Sequence, residues 1–504
     1  MTRHPGVVVL AAVFLAHAAA AQFVQQGSKL VGTGAVGPAY QGYSVAVSAD
    51  GNTAIVGGYG DNSYTGAAWV YTLSGGVWSQ QGSKLVGTGA VGAGRQGRAV
   101  AMSADGTTAI VVGPYDNFNT GAAWVYTLSG GVWSQQGSKL VGTGAVGNAA
   151  QGWSVAISAD GNTAIVGGLW DSSFAGAAWV YTRSEGVWSQ QGSKLVGTGA
   201  AGAAYQGYSV AISADGNTAV VGGLGDDSFA GAVWVFTRSG GVWLQQGGKL
   251  VGADADGAAF QGYSAAISGD GNTAIVGGYG DDSDAGAAWV FVRSDGAWSQ
   301  QGGKLVGTGA VGVAAQGWSV AISADGNSAI AGGPSDGFNT GAAWVYTRSG
   351  GVWSQEGGKL VGTGAVGAAN QGAVAISGDG ATAFVGGAYD SSRAGAAWVF
   401  SVPNSCTPPS ITAQPQSQNI QSGRTAALSV SATGTAPLFY QWYQGSPGDT
   451  STPVGDDAST FTTPPLLSTA SYWVRVTNGC GTSDSATARV TFIPRVRRHL
   501  RRST

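Results

Sequence analysis

Histidine is nearly absent: His4 and His17 lie close to the N-terminus, His499 lies in the last six residues, and nothing between them is histidine. A Ser-His-Asp or Cys-His site and any His-ligated metal are thereby excluded from the folded body. Glutamate occurs only at Glu185 and Glu356, so a paired-carboxylate glycosidase site would have to be assembled from aspartates. Charge is scarce as well, with 10% charged residues and a formal net charge of -3. That balance offers no concentrated basic face for phosphates, which speaks against nucleic acid as a partner. Past the first 21 residues no apolar run is long enough to span a bilayer.

Glycine and tryptophan are what the chain has in quantity. With 89 Gly and 14 Pro in 504 residues it stays below the roughly 25–30% Gly plus Pro of aperiodic low-complexity chains, and 18 Trp argue for packed cores. At this length more than one domain is expected. Residues 1–21 have the form of a secretory signal peptide: Arg3, an apolar run from Val7 to Leu15, and Ala19-Ala20-Ala21 before Gln22. The alternative, an uncleaved anchor, falls short of the roughly 20 apolar residues a spanning helix needs. The mature chain is therefore expected to be secreted or held at the cell surface, with no transmembrane segment.

A period organises residues 22–402. A GAAWV-like segment recurs at Trp69, Trp124, Trp179, Trp234, Trp289, Trp344 and Trp398, spaced by 55 residues except for a last step of 54. One supersecondary unit is thus repeated seven times. In the first unit, Tyr43 to Ser48, Thr53 to Gly57, Ala67 to Thr72 and Val77 to Leu85 have strand character. Asp50-Gly51 and Ser74-Gly75-Gly76 supply tight turns between them. Four-stranded units of this length predict the blades of a seven-bladed β-propeller. The fourth-strand motif already begins at Phe23, and the seventh unit ends at Ser401 without one, so Phe23 to Leu30 is expected to complete the seventh blade. An open β-solenoid is the competing architecture, and it leaves the offset start unexplained. The recurring Trp residues are assigned to the core, with surface sugar binding as the other reading.

Gln41-Gly42-Tyr43-Ser44-Val45-Ala46-Val47, Asp50-Gly51-Asn52, Ile55-Val56-Gly57-Gly58 and Gly66-Ala67-Ala68-Trp69-Val70-Tyr71 together resemble an FG-GAP repeat. Val112-Gly113-Pro114 and Gly332-Gly333-Pro334 fall where that family has Gly-Ala-Pro. The resemblance implies the propeller of integrin α-subunits and of exported bacterial proteins, and with it an adhesion role. It also implies calcium in the turn between the first two strands. Ser48-Ala49-Asp50-Gly51-Asn52 offers only one carboxylate there, so neither a strong calcium site nor any other metal or cofactor is expected.

Composition shifts at 403–410, where Pro403, Pro408 and Pro409 mark a linker. Over 411–493, the run Leu428, Val430, Ala432, Gly434, then Trp442, then Tyr472 and Val474, resembles an immunoglobulin-like sandwich, with Trp442 as its core tryptophan and Tyr472 at its tyrosine corner. Val430 and Val474 stand where that family has its inter-sheet cysteines. The only cysteines, Cys406 and Cys480, lie near the domain edge, where an oxidising compartment favours a disulfide between them; free thiols or intermolecular pairing are the alternatives. Residues 494–504 form an arginine-rich tail, read as a solvated segment or as a dock for an anionic envelope polymer.

The loop entering each first strand and the loop between strands two and three share one rim of such a propeller. Entry positions vary as Tyr40, Arg95, Ala150, Tyr205, Phe260, Ala315 and Asn370, while the second loop keeps Asp61, Asp116, Asp171, Asp226, Asp281, Asp336 and Asp390. Tyr40, Arg95, Tyr205, Phe260 and the Asp ring are the candidate ligand-binding residues. The plainer reading is that each Asp bonds its own loop backbone and the tips drift. Lys29, Lys84 and their counterparts recur nearby and are expected to form exposed pairs with the Asp ring, each contributing about 0–1 kcal/mol. The leading expectation is a non-enzymatic exported binding or adhesion protein that presents this rim to a glycan or an extracellular protein. A ligand-free structural envelope component and a propeller hydrolase or lyase using rim Asp and Tyr are the alternatives.

Overall fold

The computed structural model describes residues 22–402, 408–435, 437–478 and 481–494. The expected signal peptide at 1–21, residues 403–407 of the expected 403–410 linker, Cys406 and Cys480 with their expected disulfide, and the tail beyond 494 lie outside these residues. The chain divides between Pro403 and Asn404 into two units, a seven-bladed β-propeller and an immunoglobulin-like β-sandwich. Among the described residues, no helix is long and apolar enough to cross a membrane.

Each blade is a four-stranded antiparallel meander. In the first blade the strands are Ser44–Val47, Thr53–Gly58, Ala67–Ser74 and Val77–Gln80. The fourth is shorter than the sequence suggests. Gly82 turns the chain with a positive φ of 71°, and pairing resumes only as a single bridge from Leu85 to Ala68. Gly75 and Gly76 both take positive φ in the outer hairpin, which is what a two-residue turn matched to strand twist requires. In the inner hairpin only Gly51 does so, while Asp50 holds the turn through its side chain.

The ring closes as the offset start predicts. Val24–Gln25 pairs antiparallel with Ala396–Ser401, matching Val24 to Ser401 and Gln25 to Phe400, and supplies the outer strand of the seventh blade. First strands of neighbouring blades face one another around a central channel. On one side of the channel the inner hairpins are linked head to tail by backbone hydrogen bonds. Ala49 N–H donates to Ala104, and the series runs through Ala159, Ala214, Gly269, Ala324 and Gly378 back to Ala49, each bond 2.8–3.0 Å long.

Adjacent blades are sealed by the repeated tryptophan, which corrects the sugar-binding alternative for that series: all seven have no exposure. Trp69 sits among Ala54 and Val56 of its own blade and Phe384, Ala397 and Val399 of the seventh. Its indole Nε1 donates to the Thr33 carbonyl at 2.8 Å. Gly32 lies flat on the same ring, so closely that a Cβ there would come within 2.1 Å of Trp69 Cδ1. Buried Gln41 fixes that glycine, accepting from Gly32 N at 2.5 Å and donating to Gly32 O at 3.0 Å. The Gln of the QG motif and the Gly of the LVG motif are thus two halves of one contact, repeated in every blade.

In the sandwich, Trp442 is fully buried against Leu428, Phe461, Tyr472 and Val474, and donates to the Ala458 carbonyl at 3.0 Å. Val430 and Val474 are both buried, so apolar packing fills the places expected for cysteines. The run expected as one strand from Leu428 to Gly434 is split: Ala427–Ser429 pairs with Thr460–Thr462, and Ser431–Thr433 pairs with Ser410–Ala413. Val430 turns into the core at the break, and its N–H goes to the Ser459 carbonyl instead of a ladder partner.

Steric closeness of glycine to indole gives a direct test. Gly142→Ala, whose Cβ would meet Trp179 at 2.2 Å, is expected to destabilise the propeller by about 1–3 kcal/mol in urea unfolding followed by tryptophan emission.

Candidate functional site

The seven conserved-in-repeat aspartates do not face solvent. Asp61 is 1% exposed. Its Oδ1 accepts from the Val36 N–H of the entry loop at 2.7 Å, and its Oδ2 pairs with Lys84 Nζ at 2.5 Å. The same arrangement recurs in every blade, and in the seventh it joins the two ends of the propeller through Lys29 and Asp390. This corrects two expectations. The partner backbone belongs to the neighbouring loop, not to the aspartate's own, and the pairs are largely buried instead of exposed. Both carboxylate oxygens are used, so the ring is a set of pins.

Each pin anchors an unusual turn. Asn62, Ser63 and Tyr64 follow Asp61 with φ of 46°, 54° and 67°, and every blade repeats this left-handed triplet. L-residues disfavour that region, so neighbouring contacts must hold it. Asn62 N–H donates to Val36 O at 2.8 Å, and Gly66 N–H to Asp61 O at 2.9 Å.

The entry positions are also less open than free tips. All seven, Tyr40, Arg95, Ala150, Tyr205, Phe260, Ala315 and Asn370, take φ of 52–56°, which turns the chain inward. Tyr40 is buried, stacked on Tyr59 at 4.8 Å and edge-on to Tyr389 at 5.6 Å. Arg95 lies over Tyr115 at 4.1 Å, Phe260 stacks on Tyr279 at 5.0 Å, and Tyr205 rests between Phe174 and Phe229. Their neighbours lead inward: Tyr59 touches Tyr43, Tyr115 touches Trp153, and Tyr279 touches Tyr263.

Those inner residues form the feature that the sequence reading missed. Three positions beyond the entry residue, at the start of the first strand, stand Tyr43, Arg98, Trp153, Tyr208, Tyr263 and Trp318; in the seventh blade this position is deleted, and Ala373 pairs with Gly386 as Ser44 pairs with Gly57. They ring the mouth of the central channel around a cavity of about 210 Å³. Neighbours touch in order: Tyr43 to Arg98 at 4.7 Å, Arg98 to Trp153 at 4.3 Å, Trp153 to Tyr208 at 5.7 Å, Tyr208 to Tyr263 at 4.7 Å, and Tyr263 to Trp318 at 4.6 Å. Ala373 breaks the circle. It sits in the blade with the one-residue deletion, where the first strand bulges between Gln371 and Ala373, and a second cavity of about 280 Å³ opens there between Trp318, Tyr43 and Tyr389. The two cavities share Tyr43, Trp318 and Ala373, making a ring with one notch. Just inside it runs a tier of serines, with Ser44, Ser154, Ser209 and Ser264 each donating to a glycine carbonyl of the next blade. The available signal was the variation of the position that follows a constant Gln-Gly pair.

Burial pushes the hydroxyl pKa of Tyr208 and Tyr263 upward, so both stay neutral donors. Burial works against the Arg98 charge, but the surrounding tyrosines hold its pKa above the ordinary guanidinium value. On the inner-hairpin side, Asp50 accepts from Ser48 Oγ at 2.5 Å and from Asn52 N and Nδ2 at 3.0 Å. Among the described residues no group of three or more His, Cys, Asp or Glu is placed to hold a metal.

An Ig-like domain family, described as CHU_C associated, matches residues 407–494. No curated protein matches the chain. Among solved structures, the GH74 xyloglucanase from Xanthomonas campestris is 14% identical with a TM-score of 0.43, over 81% of this chain and 59% of that one. The β-propeller domain of the Trilobed protease from Pyrococcus furiosus is 9% identical with a TM-score of 0.36, over 69% and 89% respectively. A chimeric titin Z1Z2 is 20% identical with a TM-score of 0.16, over 18% of this chain and 99% of that one. At these values the likenesses carry no argument about activity.

Two outcomes follow from the pins and turns. Lys194→Met leaves buried Asp171 without its cation and is expected to cost about 3 kcal/mol in chemical denaturation, part of which Asp171→Asn restores in the double variant. For pH, burial raises the carboxyl pKa of Asp50, Asp105, Asp160, Asp215, Asp270 and Asp325, but hydrogen bonds from the serine two residues back and the residue two ahead outweigh it, leaving each below 3.8. A depressed folded-state pKa contributes stability above the unfolded value that is lost as pH falls through the folded one. Melting temperature is therefore expected to be level from about pH 6 to 8, with no histidine titrating in the body, and to fall below about pH 4.

Proposed function

We propose that the protein is an exported, non-enzymatic binding protein of FG-GAP-like type that takes a glycan into the channel mouth of its propeller. The observation that carries this reading is the ring of Tyr43, Trp153, Tyr208, Tyr263 and Trp318 around a concave cavity, each half-buried with one face or edge left toward the channel. Flat aromatic faces next to hydroxyl groups suit the alternating apolar and polar faces of a sugar ring. Together the mouth and its notch approach the size of small-ligand sites. The rigid belt behind them, including Tyr40, Arg95 and Phe260, pre-orders the ring before any ligand arrives, which lowers the ordering cost of binding. Tyr40, Arg95, Tyr205 and Phe260 thus support the mouth, and the Asp ring holds the loops that carry it.

The hydrolase or lyase alternative loses the seven ring aspartates as candidate acids, because each is committed to a lysine and a backbone N–H. The leader at 1–21 supports export. The immunoglobulin-like domain fits a spacer or second contact, and adhesion enters through the FG-GAP resemblance.

The test is binding of the purified mature chain to an array of neutral and acidic glycans and extracellular proteins. Saturable glycan binding is expected, with Tyr208→Ala, Tyr263→Ala and Trp318→Ala each weakening it at least about tenfold, the scale of a lost aromatic contact of roughly 1–1.5 kcal/mol. Binding to the array should also change tryptophan emission through Trp153 and Trp318. Silence across the array from folded protein would overturn the reading in favour of a ligand-free envelope scaffold.

A further inference from the structure

One member of the mouth is out of keeping with the rest. Arg98 stands where five other blades have tyrosine or tryptophan, deep in the ring yet still in partial contact with the channel. Arginine carries five N–H donors and a permanent charge, and when buried it normally meets a carboxylate. Arg98 meets none: its guanidinium lies between the faces of Tyr43 and Trp153, and among the described residues it makes no ion pair and no side-chain hydrogen bond. Stacking between aromatic faces holds the group in place but leaves the edge of the guanidinium, where its donors point, without acceptors.

A second observation falls at the same spot. The seven interblade indoles each have a carbonyl acceptor, as Trp69 has Thr33, and Trp78 of the outer strand has Gln26. Trp153 Nε1 is buried and has no acceptor at all. A buried N–H without a partner costs about 1–3 kcal/mol, and native structures rarely leave one unexplained. Arg98 therefore lines the mouth without an oxygen partner for its donors, packed against an indole whose own N–H is buried and unpartnered.

We propose that this wall is a subsite for a monoanionic group carried on a sugar ring, a carboxylate or a sulfate ester, held by Arg98 from its place between the faces of Tyr43 and Trp153. The inference rests on the glycan reading of the mouth. Charge sets the class. Arg98 is the only cation lining the cavity, the remaining residues being Tyr, Trp, Ser, Val and Ala, so one negative charge is neutralised and a dianionic phosphate monoester would keep an unpaired charge out of water. Geometry sets the orientation. The notch at Ala373 lies on one side of Tyr43 and Arg98 on the other, so a ring entering through the notch against Tyr43 directs its substituent toward the guanidinium.

The experiment is calorimetric titration of the mature chain with three probes: tri-galacturonic acid, its fully methyl-esterified form, and a 6-O-sulfated galactose trisaccharide. The acid or the sulfate, or both, should bind at least about tenfold more tightly than the ester, as expected of a charge-assisted hydrogen bond. Which of the two does so identifies the source of the charge. Arg98→Gln should erase the preference, and Arg98→Lys should restore part of it. Should Arg98→Gln fail to fold by thermal melting, the acid-to-ester and sulfate-to-ester ratios of the unaltered chain still decide. If neither the acid nor the sulfate binds more tightly than the ester, the subsite is overturned and the aromatic reading of the mouth stands. No binding of any probe by folded protein overturns both.

Discussion

A carboxylate buried in each blade of the propeller is the constraint on which the rim and the channel mouth depend. Asp61 and its six counterparts tie three separate segments together: the entry loop through a backbone N–H, their own loop through the turn they begin, and the exit of the fourth strand through a lysine. Burying an ion pair is costly unless the remaining donors and acceptors are satisfied, and here both oxygens are. What the pin secures is a left-handed triplet that the chain would not hold alone. With that turn fixed, the aromatic at its end and the inward-turning residue of the entry loop have one position each, and the mouth residue three places on inherits it.

Division of labour between positions follows. The Gln, Gly and Trp that seal neighbouring blades scarcely vary from repeat to repeat, because a bidentate amide contact and a glycine flat against an indole admit no substitute of another shape. Side chains at the channel mouth touch one another and line a cavity, and there the repeats differ. The scaffold is monotonous and the mouth is individual: five aromatics and one arginine on six blades, and a deletion at that position in the seventh.

Much of the fold was legible in the residues. The 55-residue period, the paired turns and the stray fourth-strand motif at Phe23 are local signals, and the closure they imply follows from strand arithmetic. Trp442, Val430 and Val474 were likewise readable as a sandwich core. The channel-mouth ring, three residues beyond the entry positions, was not read. Tyr40, Arg95, Tyr205 and Phe260 attract notice because they vary, but their positive φ, invisible in a sequence, turns them into the face rather than off it. The fate of Asp61 was hidden for a related reason: its partners Val36 and Lys84 lie 25 and 23 residues away, and no local pattern separates a buried pin from a surface turn residue. Arg98 needed the ring itself, since only there does the lack of a carboxylate become a property of a place.

The hydrogen-bonded circuit from Ala49 round to Ala49 has no beginning, and the strand at Val24–Gln25 lies directly beside the one ending at Ser401. Seen from the circuit, every blade is equivalent, and the order in which they are strung is an accident of where the chain was cut. Exchanging the mouth side chain between two blades leaves the Gln, Gly and Trp of every interblade seal in place, so the character of the mouth varies independently of the ring that carries it.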